Sequence, residues 1–249
     1  MVEFVLNISD KNIKVLAIYE STLEFCKGYL SRSDANADFT VMMTSEDIQR
    51  EREIQLAEGD YDTDDLPSDY LETLALYRKV LALLLPHSYI MFHGSSIAVD
   101  GECFIFAALS GTGKSTHTRL WREYFGERAI MVNDDKPVIS VTEKGIFVHG
   151  NPWNGKHNLG ANLTLPLRAI CILERSEENQ ITPITKRDAF PMLYQQTYKP
   201  RDPASLYKTI DLIERLADGI SLFRLGCNMD ISAARVSYEG MTKGKQNEA

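Results

Sequence analysis

Gly111, Gly113, Lys114 and Ser115, spaced as in "ALSGTGKST", are residue types that together can grip a phosphate chain. The glycines allow positive φ and close approach, so successive backbone N–H groups can face an anion. A lysine directly after them reaches β and γ phosphates, and the neighbouring hydroxyl can ligate magnesium. Ser110, Gly111, Thr112, Gly113, Lys114, Ser115 and Thr116 are therefore the candidate nucleotide-binding set, with ATP and magnesium as the implied ligands. Ala108 stands where the usual pattern G-x-x-x-x-G-K-[ST] begins with glycine. That position shapes only the entrance of the loop.

Twenty residues after Lys114, the apolar run "IMVNDD" ends in Asp134 and Asp135. If its strand neighbours the one before the loop, both acids emerge beside the phosphates. One carboxylate at such a place holds a metal, and a second can take a hydroxyl proton. The bland alternative is an Asp-Asp-Lys-Pro turn; beside a phosphate loop the chemical reading is favoured.

These residues need elements to position them. "FIFAA" reads as a buried strand and Lys114–Phe125 as the helix whose positive end faces the loop. Asp100-Gly101 between two apolar runs is a strong hairpin signal. Further strands are expected at "VISV", "IFVHG", "LRAICILE" and "ISLFRLG", the third followed by a loop "RSEENQ". Helices are expected over Lys186–Tyr198, Pro203–Asp218 and "DISAARVSYEGM", before a frayed tail. Upstream, "FVLNI" and "VLAIY" bracket "SDKN" as a hairpin. A short helix over "STLEFCKGYL" and a strand over "ADFTVMMT" precede a polar helix, "SEDIQREREIQLAEG". A strong helix then starts with Ser68 as its cap and ends at Pro86, with Arg78 the exception on its apolar face.

At 249 residues, with 44% hydrophobic and 25% charged residues, the chain has the composition of an ordinary globular protein of one large or two small domains. No run approaches a membrane span, and "MVEFVLNISD" has no signal-peptide character, so a cytoplasmic location and no membrane partner are expected. The four cysteines, Cys26, Cys103, Cys171 and Cys227, have no C-x-x-C pair and read as small buried hydrophobes. Net charge is −8, but residues 45–72 hold eleven acidic and two basic residues, which leaves the rest near neutral. Without a basic face, nucleic acid is not an expected partner. The acidic segment is expected to be solvated and away from the site, since its charge would oppose a bound polyphosphate. "DYDTDDLPSDYLE" imitates a calcium loop but has Asp65 where glycine is needed and Leu71 at the twelfth position. A GTPase reading lacks the guanine-reading N-K-x-D.

"LSGTGKST" followed by "NDD" resembles the HPr kinase and phosphoenolpyruvate carboxykinase group of phosphate-loop enzymes. "MFHGSSIAVDGECFIFAALSGTGKS" also resembles the HPr kinase pattern of a His-Gly, a hairpin and the loop; the likeness spans about residues 90–175. No counterpart of the carboxykinase substrate-binding half is recognisable. "PWNGKHNLGAN" stands where HPr kinases carry an arginine-glycine signature, and the chain looks more like HPr-kinase-related proteins associated with peptide modification. HPr as substrate and the reverse phosphorolysis thus fall outside what the resemblance implies. It does imply an α/β fold: an HPr-kinase-like phosphate-loop sheet flanked by helices over 88–240, with an α+β portion over 1–87 for a substrate or partner. By this resemblance Asp134 is the base, Asp135 the magnesium ligand with Ser115, Lys114 a catalytic cation and His93 the histidine near the phosphates. Read from the residues alone, His93 is equally a turn histidine.

Trp153, Gly155 and Lys156 form a loop that either closes over phosphate or substrate, or lies on the surface with Trp153 packed inward. Arg119 and Arg122 read as helix-surface charges and Arg168 as a solvated strand flank. The expected activity is transfer of the γ-phosphoryl group of ATP to a hydroxyl of a peptide, a protein or a small molecule; a homo-oligomer is compatible with it. The alternatives are an ATPase with water as acceptor and a nucleotide-binding regulator without catalysis.

Overall fold

Burial alternates along the first two strands, as one-sided strands require. Phe4, Leu6 and Ile8 on β1 (Val2–Ile8) and Ile13, Val15 and Ala17 on β2 (Lys11–Ala17) are all buried. The computed structural model describes residues 1–31, 36–58, 66–155 and 157–243. The chain divides into two compact units, Met1–His87 and Ser88–Ala249.

In the first unit β1 and β2 pair antiparallel from Val2↔Ala17 to Ile8↔Lys11. The turn is only Ser9-Asp10, with Ser9 at φ 62°, so β2 starts at Lys11, inside the "SDKN" read as the turn, while β1 ends at Ile8 as expected. β3 (Phe39–Met42) joins β2 in parallel. Three helices complete the unit: α1 (Glu20–Cys26), α2 (Ser45–Glu58) and α3 (Ser68–Leu84).

Part of the acidic segment is interior structure, which corrects the expectation of a solvated run. Glu72 is fully buried. Its carboxylate accepts from Ile18 N at 2.6 Å, Tyr19 N at 3.2 Å and Thr22 Oγ1 at 2.5 Å. Glu72 on α3 thus ties down the backbone that enters α1 at its N-cap, Tyr19, and the Thr22 hydroxyl in its first turn. Buried Glu51 accepts from Arg78 Nε at 2.7 Å and Gln55 Nε2 at 2.8 Å, which accounts for an arginine on an apolar helix face. Asp47 pairs with Lys79. Ser68 is not the cap of α3: Pro67 takes the N-cap position, with no side-chain bond. Asp60, Asp62, Asp64 and Asp65 lie outside the described residues.

The second unit holds a nine-stranded mixed sheet with helices packed on it, an α/β arrangement. Its strands are β4 (Tyr89–Met91), β5 (Ser95–Val99), β6 (Glu102–Ala107), β7 (Ala129–Asn133), β8 (Val138–Thr142), β9 (Gly145–His149), β10 (Thr164–Arg175), β11 (Gln180–Pro183) and β12 (Ser221–Cys227). The order is β4-β8-β9-β10-β6-β5-β7, with β12 also beside β10 and β11 beside β12. β10 is the pivot. Its first three residues pair with β9, and the rest runs parallel to both β6 and β12. A strand covered on both faces reads as a continuous apolar run, as "AICIL" does. Asp100 (φ 53°) and Gly101 (φ 82°) make the tight β5–β6 turn that Asp-Gly announces.

α4 (Lys114–Phe125), α5 (Lys186–Gln196), α6 (Pro203–Gly219) and α7 (Ser232–Thr242) complete the unit. Trp121 fixes α4 to the sheet. It is fully buried, 5.1 Å from Phe104 and 5.2 Å from Phe106 between ring centroids, and donates to Ser237 Oγ at 2.8 Å. Anchoring α4 there fixes the loop that precedes it.

Candidate active site

The loop between β6 and α4 takes its shape from two backbone angles. Gly111 has φ 74° and Gly113 φ 121°. A Cβ would meet nothing within 4 Å at Gly111, and only Thr116 Cβ at 3.9 Å at Gly113. Backbone conformation, not lack of space, therefore calls for glycine at both positions. Ala108 is buried within the aromatic core and its carbonyl accepts from Lys114 Nζ at 3.1 Å, so the side chain folds back along the loop. Gly113 offers α4 no side-chain cap, and the helix's N–H bonding begins with His117 N to Gly113 O at 2.9 Å. The N–H groups before it are the unsatisfied donors that attract an anion. Ser110, Gly111 and Ser115 are exposed, and Thr112, Gly113, Lys114 and Thr116 half-buried, so the whole candidate set borders solvent.

The strand bearing the acids is not beside β6, which corrects the sequence expectation: β5 lies between them. β5 is antiparallel to both, so β6 and β7 run the same way and end at one edge of the sheet. Two strand spacings, roughly 10 Å, separate them. Ser95, the first residue of β5, bridges this gap. Its hydroxyl donates to Asp134 Oδ1 at 2.5 Å and lies 3.1 Å from Thr118 Oγ1 on α4. A carboxylate only accepts, so the single Ser95 hydrogen goes to Asp134, while the Thr118 hydroxyl also has the Ser115 and Lys114 carbonyls of its own helix within 3.3 and 3.4 Å.

β7 ends at Asn133, which is fully buried. Its Oδ1 accepts from Asp135 N at 2.9 Å and Lys136 N at 2.7 Å, an Asx turn that bends the chain between the acids. Its Nδ2 donates to the carbonyls of Asn151 (3.3 Å) and Trp153 (3.2 Å), tying the 150–155 loop to the same corner. Trp153 is buried, as the packed-inward alternative had it, and Gly155 faces Asp135 closely enough that a Cβ would lie 3.1 Å from Asp135 Cβ. Lys156 lies outside the described residues.

Asp135 lies beside one cation and one imidazole. Lys136 Nζ is 2.9 Å from its Oδ2, and His93 Nε2 is 3.4 Å from its Oδ1. The backbone fixes this too: Gly94 N donates to Asp135 O at 3.1 Å and His93 N to Gln196 O at 2.7 Å. Burial lowers the His93 pKa, helped by the charges of Lys114 and Lys136 and opposed by Asp135, so the ring is neutral at neutral pH. Burial also lowers Lys114, with Asp135 and then Asp134 pulling the other way. His93, Lys114, Asp134, Asp135 and Lys136 thus share one electrostatic neighbourhood.

For magnesium, the available donors are the exposed Ser115 hydroxyl and the carboxylates. Hard oxygen ligands of this kind, completed by phosphate oxygens and water, suit the ion. Among the described residues no three His, Cys, Asp or Glu side chains gather as a metal cage.

Sequence reasoning missed Ser95, Thr118, Asn133 and Arg175, whose guanidinium donates to Gly111 O at 2.8 Å. Only Asn133 left a signal, as an Asx-turn residue before the two acids. The others depend on sheet order.

No protein-family model and no curated protein matches the sequence. Among solved structures the chain is similar to the Hpr(Ser) kinase/phosphatase from Coxiella burnetii, at TM-score 0.38 and 8% identity, over 62% of this chain and 98% of that one. At that TM-score the likeness is too loose to bear on fold or function. No described helix is long and apolar enough to cross a membrane.

Proposed function

We propose that the second unit is a magnesium-dependent, ATP-using kinase that phosphorylates a hydroxyl group of a peptide, a protein or a small molecule. The observation that carries this reading is the state of Asp134 beside the phosphate loop. One of its oxygens is held by Ser95 and the other has no hydrogen-bond partner among the described residues. A carboxylate so oriented can accept a proton, and a hydroxyl is the group that gives one up on attack.

In this reading Lys114 and the N–H groups around Gly111–Ser115 hold the β and γ phosphates. Ser115 and Asp135 would hold magnesium, which when bound would neutralise phosphate charge. Asp134 takes the proton of the acceptor hydroxyl while its oxygen bonds to the γ-phosphorus. The bond from that phosphorus to the bridging oxygen breaks, and ADP leaves with the electron pair. Neutral His93 adds a donor without adding charge. The buried wall of Trp153 and Asn133 keeps the acids in place. Nucleic acid and membrane have no part in it, and the acceptor belongs to the cytoplasm.

The test is ADP release from magnesium ATP against a panel of serine peptides and small alcohols. Acceptor-dependent release is expected. Equal release without any acceptor would make the protein an ATPase, and binding without release would make it a nucleotide-binding regulator.

A further inference from the structure

Arg175 is the last residue of β10, and it reaches the phosphate loop. β10 and β6 are parallel, so their C-terminal ends lie together at the edge where an α/β sheet binds ligands. Their pairing stops at Ile172↔Ala107, and β10 continues alongside β12 to Arg175↔Cys227. This extra length carries the guanidinium over the loop, where it donates to Gly111 O at 2.8 Å. The peptide unit from Gly111 to Thr112 is then held at both ends, since Thr112 N donates to Leu109 O at 3.2 Å.

That restraint has a consequence for an anion. The carbonyl is the negative end of a peptide dipole, and a residue at φ 74° sits where the plane can turn either way. A carbonyl turned inward would repel phosphate; with the Gly111 carbonyl held by Arg175 and the Thr112 N–H by Leu109 O, the unit is kept from turning its oxygen on an anion bound by the other N–H groups of the loop and the first turn of α4. The candidate set itself supplies only one side-chain cation, Lys114, while a polyphosphate and two aspartates bring several negative charges. The other guanidinium donors have no protein partner among the described residues.

We infer that Arg175 is a positioning residue of the phosphate loop: it latches the Gly111 carbonyl outward so that the loop accepts the polyphosphate tail of a nucleoside triphosphate. This rests on the phosphate-loop reading of the site. Because the latch acts on the loop and not on the base, it serves inorganic tripolyphosphate as well as ATP.

Calorimetric titration of magnesium ATP and of magnesium tripolyphosphate into wild type, Arg175→Met, Arg175→Lys and Lys114→Ala tests it, with the melting temperature of each unliganded protein. Arg175→Met keeps the apolar stem and removes every donor. It should weaken both ligands by about ten- to a hundred-fold, the scale of one charge-assisted hydrogen bond. The unliganded melting temperature should stay at the wild-type value, and Arg175→Lys should recover most of the affinity. Wild-type affinity in Arg175→Met overturns the latch while leaving the loop reading intact. So does a loss confined to ATP, or a lowered melting temperature with an unchanged ligand-induced rise. If wild type binds neither ligand, or Lys114→Ala binds both as tightly as wild type, the phosphate-loop reading itself fails and the latch with it.

Discussion

The Ser95 hydroxyl and the Asp134 carboxylate meet at 2.5 Å, joining the start of β5 to the end of β7. Since Thr118 Oγ1 on α4 lies 3.1 Å from Ser95 Oγ, the helix that carries Lys114 is linked to the proposed base by two side chains. The contact orients Asp134 and leaves its second oxygen to the acceptor.

Ser95→Ala should therefore lower the transfer rate by about ten- to a hundred-fold, as misplacement of a reacting group does. Affinity for magnesium ATP should stay within about twofold, because Ser95 touches the base and not the phosphates. Rate and binding measured on the same preparation decide it. A weakened ATP affinity at full rate would show that Ser95 supports the loop instead.

The lone Asp-Gly hairpin, the long β10 and the helix after G-K-S were legible because their signals are local. Two glycines with a following lysine predict the loop, and both occupy the positive φ that makes glycine necessary. Sheet order was not legible. Nothing in "IMVNDD" says that β5 will stand between β7 and β6, and once it does, a bridging residue such as Ser95 is needed. β4 and β11, with three and four residues, are too short to show a period. The bend between the acids is made by buried Asn133, whose Oδ1 accepts from the backbone of Asp135 and Lys136. Charge patterning misled for Glu51 and Glu72, whose burial depends on partners distant in sequence.

Glu72 makes the first unit's most consequential test. Replacing it by alanine removes three hydrogen bonds to a buried carboxylate and leaves the N–H groups of Ile18 and Tyr19 without an acceptor. The expected loss is roughly 2–4 kcal/mol, read by denaturant unfolding. Hydrogen exchange should show those two amides losing protection first. Retained protection at both would mean that α1 is capped by another group.

His117 gives stability a pH dependence of known sign. Burial lowers its pKa to about 3, its Nε2 meets Ser237 Oγ at 3.1 Å, and its Nδ1 has no partner. The unfolded chain takes up a proton near pH 6.5, as a free histidine does, whereas the folded ring stays neutral to about 3. Stability is thus fully present above pH 6.5 and falls as pH drops towards 3, by about 1.4 kcal/mol per pH unit from this group. Unfolding curves of wild type and His117→Gln across that range should diverge by this slope. Parallel curves would show that the ring protonates in the folded state.

The most direct test separates the two aspartates by measuring magnesium ATP binding and single-turnover transfer from γ-labelled ATP, with and without acceptor, in Asp134→Asn and Asp135→Asn. A base contributes about 10²–10⁴-fold to the rate, whereas a metal ligand changes the metal requirement. Asp134→Asn should bind ATP as wild type does and lose transfer by that factor, to acceptor and to water alike. Asp135→Asn should need more magnesium to reach its own maximum. Wild-type transfer in both variants would contradict the account of Asp134 as base and Asp135 as metal ligand, and binding without transfer in wild type itself would leave a protein that binds nucleotide without using it.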